Sequence, residues 1–181
     1  IDFLNSMSWL ANVDNSGTYY ISTGSTAYLY GDFSNDGTTI LNNSLFEIRK
    51  NGAQTFDGMN FYDLKITGTG DKSLTSDAYV RHSLVFNTGS GMIDGDTYGS
   101  VITLDTTATI TENNSNYVLG TVQMLGKHWA NNTQFTFGGL GVDLTQGNYN
   151  LGAVDVIRYT GPSAIQTGSG NSGIARAWDI T

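Results

Sequence analysis

Apolar positions along this chain recur at every second residue in short runs, and helical spacing is nearly absent. The segments "TYYIS", "TAYLYGDF", "TTILNNSLFEI", "FYDLKI", "SLVF", "VITL", "TATIT", "YVLGTVQML" and "TQFTF" each mix apolar and polar residues over a few positions. They are rich in β-branched and aromatic side chains, and clusters of Gly, Asn, Asp and Ser separate them, which is the signature of strands joined by turns. Only "LNSMSWLANV" near the N-terminus suggests a helical turn. The pattern predicts an all-β chain.

The runs are themselves periodic. Leu29, Leu45, Leu64, Leu84, Leu104 and Val122 follow one another at steps of 16, 19, 20, 20 and 18 residues. Ile21, Ile40, Phe56, Leu74, Ile93 and Ile110 form a second track with steps of 19, 16, 18, 19 and 17. Two apolar tracks advancing together by nearly one coil length predict a right-handed parallel β-helix, a β-solenoid in which each coil adds inward residues to a stacked core. At about 4.8 Å per coil, six coils span on the order of 25–30 Å. A β-sandwich is the alternative, because its turn signals fall at similar spacing.

The expected core is Ile40, Leu45, Phe56, Phe61, Leu64, Ile66, Leu84, Phe86, Ile102 and Leu104. Phe61, Leu64 and Ile66 do not share one parity, so a bend or bulge near Asp63 is required for all three to point inward.

Four regions follow from the pattern: a lead-in or N-terminal cap over 1–12, coils over 13–125, irregular coils and a cap over 126–160, and a connector from 161 to 181. The aromatic and turn-rich "GKHWANNTQFTFGGLGVDLTQGNYN" predicts a hairpin or end cap, which a solenoid needs to cover its unpaired strand edges. Pro162 begins the connector, and its last residues read as a first strand toward a following domain.

Charge narrows the function. The 181 residues carry 8 Lys and Arg against 16 Asp and Glu, a net charge of −8. Nucleic acid and anionic membrane surfaces both need clustered basic residues, and these are scattered. Charged residues are 13%, below the roughly 25% usual for globular proteins. With 23 Gly and abundant Ser, Thr and Asn, the surface resembles that of secreted all-β proteins. There is no Cys, so disulfides and thiolate metal sites are excluded. No long apolar run suggests membrane insertion, and a chain starting at Ile1 without a signal-like segment reads as an excised or mature fragment.

Candidate chemistry is sparse. Asp94 and Asp96 in "DGDTYG" alternate like calcium ligands, but the further acids and closing Glu of a full calcium loop are missing. Solvated turn aspartates are the plainer reading, and no cofactor is expected. Asp57, Asp63 and Asp77, with Arg81 beside them, could align on one solenoid face as the paired carboxylates that glycan cleavage needs. His82 and His128 lie in no metal-ligand spacing, and no Gly-x-Ser-x-Gly elbow occurs. His82 reads as an outward strand residue and His128, beside Trp129, as part of the cap. Tyr19, Tyr20, Tyr28, Tyr30, Tyr62 and Trp129 are candidates for stacking on sugars. Asn42, Asn113 and Asn131 head sequons that chance supplies in so Asn-rich a chain.

The stretch "YGDFSNDGTTILNNSLFEIRKNGAQTFDGMNFYDLKIT" resembles a pattern of large Bacteroidetes surface proteins, in which "G-x-F-x-N-x-G" precedes an apolar strand and then "Q-T-(I/F)-x-G-x-x-F-x-(N/D)-L-x-I". "LTSDAYVRHSLVFNTGSGMIDGDTYGSVITLDTTATITENNSNYVLGTVQMLGK" is similar to its continuation, and "GIARAWDIT" to its closing "I-x-R-x-W-D-I-T" strand. "FTFGGLGVDLTQGNYN" departs from the family's "FTFPVG" segment by replacing Pro and Val. The resemblance runs from about Val13 to Thr181. It implies type IX secretion, residence at the cell surface and a stalk or repeat role within a very long adhesin, some such proteins serving gliding motility. It implies no catalytic residue. "Asp105-Thr106-Thr107" is similar to the short O-glycosylation motif of these bacteria, with Thr106 as acceptor.

The expectation is therefore a non-enzymatic structural or adhesive module. Its partners would be neighbouring domains of the same chain and surface glycans or other surface proteins. A carbohydrate-binding or polysaccharide-cleaving β-helix, or a subunit of an extracellular filament, are the alternatives.

Overall fold

The computed structural model describes residues 2–3, 6–129, 134–145, 152–161 and 176–181, and these contain strands and turns with no helix. Successive strands pair in parallel with partners one coil further on. Thr26–Leu29 pairs with Leu45–Ile48, which pairs with Asn60–Ile66, which pairs with Ala78–Phe86. A second wall runs through Val13–Asn15, Phe33–Asn35, Gln54–Phe56, Lys72–Leu74 and Ile93–Asp94. A third begins with Asp2–Phe3, Thr18–Ile21 and Thr38–Leu41. The result is a parallel β-helix of about six coils, as the periodicity predicts.

The core is a set of rows in which side chains one coil apart stack on each other. Ala27, Phe46, Leu64, Leu84 and Ile110 form one row. Leu29, Ile48, Ile66 and Phe86 form the next, and Phe61, Val80, Leu104 and Met124 another. All of these are buried. Rings join the walls: Phe46 meets Phe33 and Phe61 edge to face, at centroid distances of 5.8 and 5.4 Å.

Two expected core residues are corrected. Ile40 points outward and is 41% exposed, while its neighbour Leu41 fills the core beneath it. Leu45 is half-buried, and Phe46 takes the inward place. "TIL" and "LFEI" offer apolar residues at both parities, and a one-residue slip turns every side chain to the other face. The two tracks also mix walls: Leu84 lies against Ile110, whereas Leu104 lies against Val80. The other expected core residues are buried.

The irregularity required near Asp63 is present. Between Phe61 and Asp63 only Tyr62 intervenes, whereas Arg81 and His82 lie between their partners Val80 and Ser83. Asn60–Ile66 pairs with Leu45–Ile48 only from Asp63 onward, and its first residues run beside Thr38–Leu41. The bulge is the corner at which one long strand passes from the third wall to the first.

At such corners the ladder is interrupted and carbonyls turn away from strand partners, so buried polar side chains reach across coils to meet them. Gln54 donates to the Gly31 carbonyl, Asn116 to Ser90 and Ser100 to Leu74. Close approach of the corners requires glycine. Gly70 has φ +74°, and a Cβ on Gly91 would overlap the Gly70 carbonyl.

The coils begin earlier than expected. Met7–Trp9 is a strand paired with Thr26–Leu29 and not a helical turn in a lead-in. At the other end the parallel stack stops. Val118–Trp129 pairs in parallel with Ile93–Asp94 and Val101–Leu104, and antiparallel with Gly152–Thr160. The hairpin of Gln134–Thr136 and Asp143–Thr145 brings Phe137 and Leu140 into the core, giving the expected cap. Arg176–Ile180, read from sequence as a strand leading onward, pairs antiparallel with Gly152–Thr160 in this same sheet. Beneath it, buried Arg158 grips Glu112 through two contacts of 2.6 and 2.8 Å, and Arg176 adds a third at 3.1 Å. Pro162 and the Asn131 sequon lie outside the described residues.

Candidate functional surface

Several outward carboxylates spend their oxygens on adjacent coils. Asp57 Oδ2 accepts from the Asn35 amide at 2.6 Å, and its Oδ1 from the Thr75 hydroxyl. Asp32 Oδ1 accepts from the Thr55 amide and the Lys50 ammonium, both at 3.1 Å, and Asp77 from the Val101 amide at 2.8 Å. An Asp here satisfies an amide some twenty residues away, whereas an ordinary turn aspartate serves its own loop. Asp57, Asp63 and Asp77 share no hydrogen-bond partner in these contacts. Asp14, Asp32, Ser34, Thr55 and Asp57 line an open groove of about 370 Å³ on the second wall.

Asp63 belongs to a different cluster, built by the bulge. Its Oδ1 contacts His82 Nδ1 at 2.7 Å and accepts from the Ser83 hydroxyl. Tyr62 lies flat on His82, with centroids 4.9 Å apart and planes 11° apart, and Arg81 stands 5.4 Å from the Tyr62 ring centre. Arg81 in turn donates to the Leu41 and Asn42 carbonyls, two coils back. Ser83 and His82 both turn to the carboxylate and not to each other, so this is not the relay in which His deprotonates Ser. It locks the corner where the strand changes walls.

Glu47 is similarly committed. Burial alone would raise its pKa, but hydrogen bonds from Arg49 (2.7 Å) and Thr67 (3.0 Å), with the charges of Arg49 and Lys65, hold it below the usual value. Asp105 is held low chiefly by the Tyr79 hydroxyl at 2.8 Å, against some burial, with Thr107 and Thr106 assisting. The half-buried Thr106 hydroxyl itself lies 3.4 Å from Asp105.

The aromatic candidates do not form one platform. Arg49 covers the Tyr28 ring at 3.9 Å and donates to the Tyr30 hydroxyl, Tyr19 packs on Trp9, and Tyr20 is exposed beside Ile40 on another wall. The Trp129 side chain lies outside the described residues, and His128 is an exposed strand residue. Asp94 gives both oxygens to Thr97, at 3.1 and 2.6 Å, an Asx-type turn. Among the described residues no three His, Asp or Glu side chains gather as a metal site, and no helix is long and apolar enough to cross a membrane. Of the sequon residues, Asn42 donates to the Ile21 carbonyl and Asn113 caps its own turn.

The most unusual group was not among the candidates. Lys72 is fully buried in the inward row that stacks Gln54, Lys72, Ile93 and Val118. Its ammonium lies 2.8 Å from each of four carbonyl oxygens, those of Lys50, Gly52, Thr69 and Gly70. Burial, with the nearby Lys50 charge, pushes its pKa down to about 8, and Asp71 opposes the shift. The sequence does carry a signal: Gln54 and Lys72 each stand two residues before an inward apolar residue, Phe56 and Leu74, so alternation places them inside.

Comparisons with known protein families, with curated proteins and with solved structures give no match to this chain.

Proposed function

We propose that this chain is a non-enzymatic structural or adhesive module of a large secreted bacterial surface protein, a stiff stalk segment that spaces or displays other elements at the cell surface. The observation that carries this reading is the use of the outer polar groups. The carboxylates of Asp32, Asp57, Asp63 and Asp77 are each tied to residues of an adjacent coil. Stacked hydrogen bonds and inward apolar rows favour a rod in which each coil braces its neighbours. The resemblance to type IX-secreted adhesins, with a place in gliding or attachment, belongs to the same proposal, as do neighbouring domains and surface glycans as partners.

A carbohydrate-binding reading has one specific support, the open polar groove of Asp14, Asp32 and Asp57. A glycan array combined with a reducing-sugar assay separates the two. The scaffold reading expects no release of sugar and no glycan binding that depends on the Asp14, Asp32 and Asp57 groove. Saturable binding lost on Asp14→Ala would replace it with the carbohydrate reading.

A further inference from the structure

We propose that the corner carrying the Lys50, Gly52, Thr69 and Gly70 carbonyls is a binding cage for a monovalent cation of ammonium or potassium size, with the Lys72 ammonium as its tethered occupant. The four oxygens are all 2.8 Å from Nζ. An ammonium on a lysine has three N–H donors, so four equidistant acceptors cannot each receive a straight hydrogen bond. This is an arrangement of dipoles around a spherical charge, the chemistry by which carbonyl oxygens replace the hydration shell of K⁺.

The ammonium's direct partners are carbonyl dipoles, and the Asp71 charge acts on it only from a distance. Lys72 forms no ion pair among the described residues. A divalent ion would need carboxylate ligands to compensate for its lost hydration, and the cage offers none. Li⁺ and Na⁺ are too small to touch four oxygens at this radius. The cage is made by the backbone: Gly52 and Gly70 hold φ of +98° and +74°, conformations that turn these corner carbonyls inward, and the Gly52 amide donates to the Thr69 carbonyl at 2.8 Å. It therefore belongs to the coil geometry and is independent of the proposed surface role.

The test is thermal unfolding of wild type, Lys72→Ala and Lys72→Met in matched chlorides of K⁺, NH₄⁺, Na⁺ and Li⁺. Wild type should melt at one temperature in all four. Lys72→Ala, with the cage emptied, should melt lower in Li⁺ and recover by about 3–6 °C in K⁺ or NH₄⁺, the shift expected from roughly tenfold occupancy. Lys72→Met, whose stem fills the space without charge, should not respond. Equal melting of Lys72→Ala in all four salts would overturn the proposal. If that variant stays unfolded in every salt, the wild type decides. Its ¹⁵N-labelled Lys72 ammonium should give a slowly exchanging signal with couplings to the cage carbonyl carbons, and absence of that signal rejects the cage.

Discussion

Lys72 stacks directly on Gln54 in the parallel register, and both polar side chains are buried in a row otherwise continued by Ile93 and Val118. The two are not equivalent. Gln54 donates to one carbonyl, that of Gly31, and its Oε1 has no partner. Replacing it by Met removes one bond together with an unsatisfied acceptor, and should cost under about 1 kcal/mol. Lys72→Met leaves four carbonyls without the buried ammonium that donates to them, and should cost about 2–4 kcal/mol at neutral pH. Urea unfolding of the two variants measures the difference, and a cost for Gln54→Met equal to that of Lys72→Met would contradict this division.

The parity of the third wall can be tested at adjacent residues. Leu41 is buried in the core and Ile40 is exposed outside it. Leu41→Ala should destabilise by about 2–5 kcal/mol, and Ile40→Ala by no more than about 1 kcal/mol. Leu64→Asp, which buries a carboxylate beside Phe46 and Leu84, should prevent the coils from closing. Melting temperatures followed by circular dichroism report all three. An Ile40→Ala loss as large as that of Leu41→Ala would mean that the register is off by one.

The coil length, the all-β class and the need for a bulge near Asp63 were legible because stacking forces side chains of like polarity to recur at one interval. Parity was legible only where apolar residues alternate cleanly, as in "LKI" over 64–66 and "ITL" over 102–104. It failed at Ile40 and Leu45, where adjacent apolar residues give the backbone a choice that the neighbouring coil decides. The walls were not separable, because Ala78–Phe86 runs around a corner and serves two of them. Lys72 escaped notice for a different reason. Its partners are main-chain carbonyls, which every residue carries, so no motif records them.

Stability should depend on pH in two directions. Above about pH 8 folded Lys72 releases a proton that the unfolded chain keeps until its ordinary value near 10.5. The unfolded state then binds more protons, so stability rises with pH across that window, by up to about 3 kcal/mol from this group. Lys127, lowered by burial, acts with the same sign. Tyr79, raised first by its bond to Asp105, opposes the rise above about pH 10. On the acid side, Glu47 and Asp105 have lowered values, so their stabilisation is complete above the ordinary carboxyl range and is lost as pH falls through the folded one. Urea midpoints from pH 3 to 10 should trace both limbs. Lys72→Met should flatten the alkaline limb to the part left by Lys127, and an unaltered limb would show that another group causes it.

A rod of coils, each braced by its neighbours, should bear tension along its length. Pulling a single molecule by its two ends tests this most directly. A solenoid with nearest-neighbour stabilisation should hold its length up to a defined force and then lengthen in successive steps. Each step should free one coil of roughly 20 residues, about 60–70 Å of chain. Gradual elongation from the lowest forces, with no step of that size, would contradict the account.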